Sequence, residues 1–289
     1  MIATTALFGL DTDIAVSVTA PDHHGRAVDH VSALAERLDR TVNRARPSAE
    51  VFALDNAAGR PVMVSSLLDQ LIIEALFFED LTDGATRAVR RSGTPDYRYL
   101  PGLTFSVSSA GMTSAVSSPI PVWHRVQIGR GTVTVPNEVR LELLATARAL
   151  LADQASTHLA ELLGCGVLVR VGDLAATAGP APADGWDCGA LGMEHPLGAG
   201  LAVARVTAAD YRSLPVAPDD VPPQSFLECV SVVAESAALA QAAGLRSHVD
   251  PAAAARWLAA QGLAARIDTS DSDVVRVGRV PATGHALAA

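Results

Sequence analysis

The sequence predicts an α+β fold, and three observations carry that expectation. Stretches with a two-residue alternation and stretches with a helical period both recur along the chain, but they do not alternate regularly, which disfavours a doubly wound parallel sheet. Hydrophobic residues make up 49% of the 289 residues and charged residues 18%, so a sizeable core can be buried. No internal repeat is visible. Residues 1–289 are read as one large domain, with any subdivision expected near 190–225.

The elements follow in order. Leu10, Thr12, Ile14, Val16 and Val18 alternate with Asp11, Asp13 and Ser17, as in a half-buried strand. From Gly25 the period lengthens: Val28, Val31, Leu34 or Ala35, Leu38 and Val42 mark one face of a helix that stops near Pro47. A short extended stretch at Pro61–Val64 precedes a helix capped by Ser65 or Ser66, with Leu67, Leu68, Leu71, Ile72, Ala75 and Leu76 on its apolar face. That helix ends at Thr82-Asp83-Gly84. Leu103, Phe105 and Val107 alternate within an otherwise irregular, Ser-rich region. Gly129-Arg130-Gly131 joins two short strands as a hairpin. A long helix is expected from Asn137 to about Leu163, then a buried strand from Gly164 to Val171. Further strands are expected at Trp186–Leu191, Leu201–Val206 and Phe226–Val233. Helices at Ser236–Leu245 and Pro251–Gln261 follow, and strands near 264–268 and 273–277 close the chain.

Composition excludes several classes of function. The net charge of −9 and a pI near 5.3 leave no basic stripe for a phosphate backbone, so nucleic acid is not an expected partner. All 22 basic residues are arginine; without lysine there is no Schiff base, pyridoxal-phosphate anchor or P-loop lysine. Cys165, Cys188 and Cys229 show no C-x-x-C or metal-ligand spacing and read as buried reduced thiols. No stretch approaches the roughly 20 apolar residues that span a bilayer, and no leader pattern opens the chain, so no membrane association and a cytoplasmic location are expected.

Three stretches carry a resemblance. Asn43-Arg44-Ala45-Arg46-Pro47-Ser48-Ala49-Glu50, followed by Asn56-Ala57-Ala58-Gly59, is similar to an R-F-R-P-x-S-E element. Leu81-Thr82-Asp83-Gly84-Ala85 resembles the start of T-x-G-A-F-D-P, continuing here as Thr86-Arg87-Ala88. Val139 through Asp153, then Leu159–Leu163 and Val169-Arg170-Val171-Gly172-Asp173, resemble a D-L-G-G-I-A-K-G helix followed by a strand ending in G-G-D. In this order and spacing they resemble the ApbE family of FAD:protein FMN transferases, over most of residues 8–190.

The resemblance implies an ApbE-like mixed-sheet fold with packed helices and two intertwined subdomains. It also implies FAD as the bound flavin, Mg²⁺ on its diphosphate, and transfer of FMN to a Thr or Ser hydroxyl of a flavin-acceptor protein with release of AMP. Cofactor-binding positions fall on Asp83, Gly84, Glu142, Arg148, Gly172 and Asp173. The metal-binding carbonyl falls on Ala147, and the family's Asp and Thr fall on Gln241 and Leu245. Helix-entry glycines are replaced by Leu144 and Ala145, the lysine by Arg148, and the family Asp by Glu142; Pro222-Pro223-Gln224-Ser225 stands where a His-containing loop is expected.

A neutral amide cannot serve as a base, and leucine cannot ligate Mg²⁺. Three readings follow: a flavin-binding relative with weakened or lost FMN transfer, an active Mg²⁺-dependent transferase, and a non-catalytic interaction scaffold. The residues also have bland readings. Asp173 can be a turn residue, Asp83-Gly84 a helix stop, Arg44 and Arg46 helix-end cations, and Asp153 a cap or a pair within its own helix.

Overall fold

The computed structural model describes residues 2–91, 99–107, 113–193, 195–213 and 227–280. In chain order, β1 (Ala3–Gly9) and β2 (Thr12–Val18) precede α1 (His24–Val42), α2 (Phe52–Asn56), β3 (Val62–Met63) and α3 (Ser66–Leu81). Then come β4 (Val89–Arg91), β5 (Tyr99–Val107), β6 (Thr113–Pro121), β7 (Gln127–Ile128), β8 (Thr132–Thr134) and β9 (Val139–Leu141). α4 (Leu144–Leu163), β10 (Val167–Val171), β11 (Leu174–Ala178), β12 (Ala202–Thr207) and α5 (Ala208–Ser213) follow. β13 (Leu227–Ala234), α6 (Ala237–Val249), α7 (Ala254–Ala260), β14 (Ala264–Thr269) and β15 (Val274–Val277) complete the α+β layout.

Eight strands form one sheet in the order β1-β2-β10-β11-β12-β13-β14-β15, and every pairing in it is antiparallel. Both faces are covered. Val167, Val169 and Val171 face the main core with α4, while Leu168 faces a second cluster with Trp186, Leu197, Leu201 and Val203. Burial on both faces makes β10 apolar at every position but Arg170. α1 packs on α4 and α4 on α6, so these helices lie along the sheet. Alanines supply much of that contact: Ala147, Ala149, Ala152, Ala155, Ala240 and Ala243 are all fully buried. A small three-stranded sheet β3-β8-β7 and the pairs β4-β9 and β5-β6 complete the strands.

Several sequence expectations need correction. The long helix begins at Leu144 rather than Asn137, because Val139–Leu141 pairs with β4 first, Val139 and Leu141 turning inward. Trp186–Leu191 is not a strand; Trp186 makes a single bridge to Leu197 and residues 189–191 form a 3₁₀ turn. β1, β11 and α5 were not foreseen. β11 is masked by its composition, Leu174-Ala175-Ala176-Thr177-Ala178, in which alanine carries no strand preference. The three cysteines are free and buried, and burial pushes the Cys188 thiol up to about 11. The expected loop at 222–225 lies outside the described residues, as do residues 108–112 of the Ser-rich region and most of the polar connection that starts at Ser213.

Candidate functional site

The sequence-derived positions fall into three neighbouring groups. The first surrounds the β1–β2 turn. Leu10 and Asp11 both adopt left-handed backbone (φ 52° and 55°), as a primed two-residue hairpin turn requires, though neither is glycine. Arg148 holds that turn: Nε donates to Leu10 O at 2.8 Å and Nη2 to Asp11 O at 3.1 Å. Burial draws the Arg148 pKa down and Asp11 opposes it. Gly172 opens the β10–β11 turn at φ 56° and donates its N–H to Asp13 O at 2.8 Å. A Cβ there would sit 2.7 Å from Thr12 Oγ1, so glycine is required twice over. Asp173 follows, exposed, its carboxyl raised by partial burial and by Asp210, with Arg205 and Arg170 pulling the other way.

The second group is a charge network around Glu142, which follows β9. Glu142 Oε1 accepts from Arg90 Nη2 at 2.6 Å and lies 3.4 Å from Arg44 Nε. Arg44 also donates to Asp55 Oδ2 at 2.7 Å and to Leu141 O at 2.9 Å. Arg46 pairs with Glu36 and Asp39. The motif arginines are therefore committed to internal carboxylates and a carbonyl. Glu142 N donates to Ala88 O at 2.8 Å, which ties this network to the loop that follows α3.

That loop begins the third group. Thr82 Oγ1 donates to Phe78 O at 2.6 Å, Asp83 turns left-handed (φ 53°), and Gly84 N closes onto Glu79 O at 2.7 Å. Thr82-Asp83-Gly84 is thus the helix stop the sequence predicts. Three residues later Arg87 is left-handed again (φ 53°), stacks its guanidinium 4.9 Å above the Tyr211 ring, and donates from Nη2 to Tyr211 Oη at 3.1 Å. Tyr211 in turn stacks on His248 at 5.5 Å with the rings 15° apart. His248 is fully buried against Val206 O, and burial lowers its pKa. Leu245, one turn before His248 on α6, packs with Val206 and Tyr211 in one apolar cluster. Gly244 lets α6 approach β12: a Cβ there would lie 2.6 Å from Val206 Cγ2. Arg87, Tyr211 and His248 were not singled out in sequence as functional. No spacing signals that 87, 211 and 248 meet.

Ala147 and Gln241 lie on the packed pair α4 and α6, Ala147 fully buried and Gln241 half-buried. Asp153, on α4, does not pair within its own helix. Its carboxylate accepts from Ala237 N at 2.7 Å and Ala238 N at 3.3 Å, capping α6 together with Ser236 Oγ, which accepts from Leu239 N at 3.2 Å. Burial raises the Asp153 carboxyl to about 6, partly offset by those two amides. Glu74 on α3 rises to about 7, from burial and then from the Asp153 charge.

Both folded pKa values lie above the unfolded ones. Their stabilising contribution is therefore complete below about pH 4 and is lost as pH rises through about 6 and about 7. Glu74→Gln removes the like-charge partner. Its stability relative to the unmodified protein should grow by about 1–2 kcal/mol between about pH 5 and pH 8, after allowance for solvent screening. Urea midpoints at each pH measure this; a difference that stays constant with pH rules out a raised Glu74 carboxyl.

The donor set at the positions that the family resemblance assigns to a metal does not fit Mg²⁺. Of its three positions, Leu245 offers no oxygen and is 5% exposed, Gln241 offers a neutral amide, and Ala147 offers a carbonyl in the first turns of a helix. Among the described residues, no group of three or more His, Cys, Asp or Glu side chains could hold a metal ion.

No helix among the described residues is long and apolar enough to cross a membrane. Comparison with known proteins agrees with the geometry. No curated protein matches the sequence. Among solved structures, the apo flavinyl transferase ApbE of Pseudomonas stutzeri superposes with a TM-score of 0.73 at 15% identity, covering 96% of this chain and 95% of that one. The ApbE protein of Thermotoga maritima gives 0.69 at 15% identity, and the flavin transferase ApbE of Vibrio cholerae 0.67 at 13%, each covering 96% of this chain and 97% of the other. At such identities these matches establish the fold. The ApbE family profile matches residues 10–267, nearly the whole chain. The chain belongs to the ApbE family.

Proposed function

We propose that this protein is a flavin-binding ApbE relative in which transfer of FMN from FAD to a Thr or Ser of an acceptor protein is weakened or lost. One observation carries the reading. Leu245, standing where the family's metal-binding Thr would be, is closed into an apolar contact with Val206 and Tyr211, and Gln241 supplies no carboxylate beside it. A phosphoryl-type transfer needs the developing charge on the diphosphate neutralised and the attacking hydroxyl deprotonated. Neither task has its family residue here.

The test is FAD fluorescence quenching by the purified protein with and without Mg²⁺, followed by AMP release with a Thr-containing acceptor peptide. FAD binding with negligible AMP release supports the reading. Rapid Mg²⁺-dependent release would make the protein an ordinary transferase, and absence of FAD binding at high micromolar concentration would leave an interaction scaffold.

The double variant Gln241→Asp, Leu245→Thr should raise Mg²⁺-dependent AMP release by about tenfold or more, since metal and base are each worth orders of magnitude. Leu245→Thr places a hydroxyl in an apolar contact at a cost of about 1–3 kcal/mol, so the thermal midpoint must be checked alongside. No gain in a folded double variant would overturn the loss-of-metal account.

A further inference from the structure

Arg87 carries several features that the fold alone does not explain. Its backbone is left-handed (φ 53°), a conformation that costs a non-glycine residue about 1–2 kcal/mol unless the surroundings hold it. Its Nη2 is satisfied by the Tyr211 hydroxyl and its plane by the Tyr211 ring. Its Nη1 is buried with no hydrogen-bond partner, and so is Oγ1 of the preceding residue, Thr86. No carboxylate among the described residues forms an ion pair with Arg87, although Arg44, Arg46, Arg90, Arg125 and Arg266 each have one. Arg87 itself is half-buried, and a guanidinium nitrogen closed off without a hydrogen-bond partner is costly, a cost that an anion accepting from it would remove. A guanidinium presents parallel N–H donors suited to the oxygens of a phosphate group, and a neighbouring hydroxyl adds one more donor.

The same loop adjoins the position where a metal does not fit. Tyr211, which carries Arg87 on its ring, shares one small apolar cluster with Leu245 and Val206. The protein therefore places an organic cation against the same cluster that contains the position lacking a metal ligand.

We propose that Arg87, with Thr86, forms a metal-independent oxyanion site that takes the diphosphate of the bound dinucleotide. The identity of that anion rests on the flavin reading above; the oxyanion site itself rests on Arg87. Arg87 acts here as a binding residue: it supplies positive charge without a divalent ion.

The experiment is calorimetric titration of the purified protein with inorganic pyrophosphate, in EDTA and in Mg²⁺, with FAD fluorescence titrations run in parallel. Pyrophosphate should bind in EDTA, with affinity falling about tenfold in Arg87→Gln, less in Arg87→Lys, and a few-fold in Thr86→Val. Arg87→Lys and Thr86→Val carry the test if Arg87→Gln does not fold. Binding seen only with Mg²⁺, or binding undiminished in the folded Arg87 variants, overturns the proposal. The two readings fail separately. FAD binding that ignores Arg87 keeps the flavin reading and sinks the Arg87 site. Pyrophosphate binding on Arg87 without FAD binding keeps the site and sinks the flavin reading.

Discussion

Asp153→Ala should lower the unfolding free energy by about 3 kcal/mol at neutral pH, because it strands two amides at once. The α6 N-terminus is held by two side chains: Ser236 satisfies Leu239 N, and Asp153 reaches across from α4 to Ala237 N and Ala238 N. Removing the carboxylate leaves those two N–H groups facing the packed helices without a partner. Ser236→Ala removes one cap only and should cost about 1 kcal/mol. The pH signature separates capping from packing. Asp153→Asn keeps an acceptor oxygen, so it should lose much less stability than Asp153→Ala, and it should lower the Glu74 carboxyl from about 7 while burial, the larger cause, still holds it raised. Urea denaturation at several pH values and a carboxyl titration by NMR measure both. Equal losses for the Ala and Asn variants would mean that the cap is not what Asp153 contributes.

Gly166→Ala is expected to be at least as damaging, costing about 3 kcal/mol or preventing folding. Gly166 precedes β10, and a Cβ there would lie 2.0 Å from the Pro180 carbonyl oxygen and 2.9 Å from Thr19 Cγ2. The first obstacle is backbone, so no rotamer change relieves it. Moreover, Gly166 N donates to Thr19 Oγ1 and Gly166 O accepts from Thr19 N, both at 2.9 Å, so displacing the residue breaks the join between β2 and β10. Gly164→Ala offers the contrast. Its left-handed φ of 60° strains an alanine, but nothing lies within 4 Å of the added carbon. It should cost about 1 kcal/mol. Thermal midpoints of the two variants measure the difference; similar values would show that the β10 entry can shift to admit the methyl.

Much of the layout is legible in the sequence because local chemistry decides it. The Ser65 cap, the apolar stripe Leu68-Leu71-Ile72-Ala75, and the Thr82-Asp83-Gly84 stop all act within a few residues of one another, and all stand where periodicity and cap chemistry place them. The family assignment is legible for a related reason: motif order along the chain survives even where single residues change. β11 and α5 were invisible because Ala-rich or short segments take their conformation from partners. β11 is a strand because β10 and β12 flank it.

The candidate site divides in the same way. Sequence alone determined that the chain is a lysine-free α+β protein with ApbE-type motifs, and that position 241 carries an amide and position 245 a leucine. Only the tertiary structure decided how the remaining polar groups are used. It commits Arg44 and Arg90 to Glu142, sends Arg148 to the β1–β2 turn, and turns Asp153 onto another helix. It leaves one nitrogen of Arg87 buried and unpartnered beside Tyr211. Charge and hydrogen-bonding capacity are properties of a residue; whether they are already satisfied depends on groups brought from far along the chain, as Leu10 is to Arg148 across 138 positions.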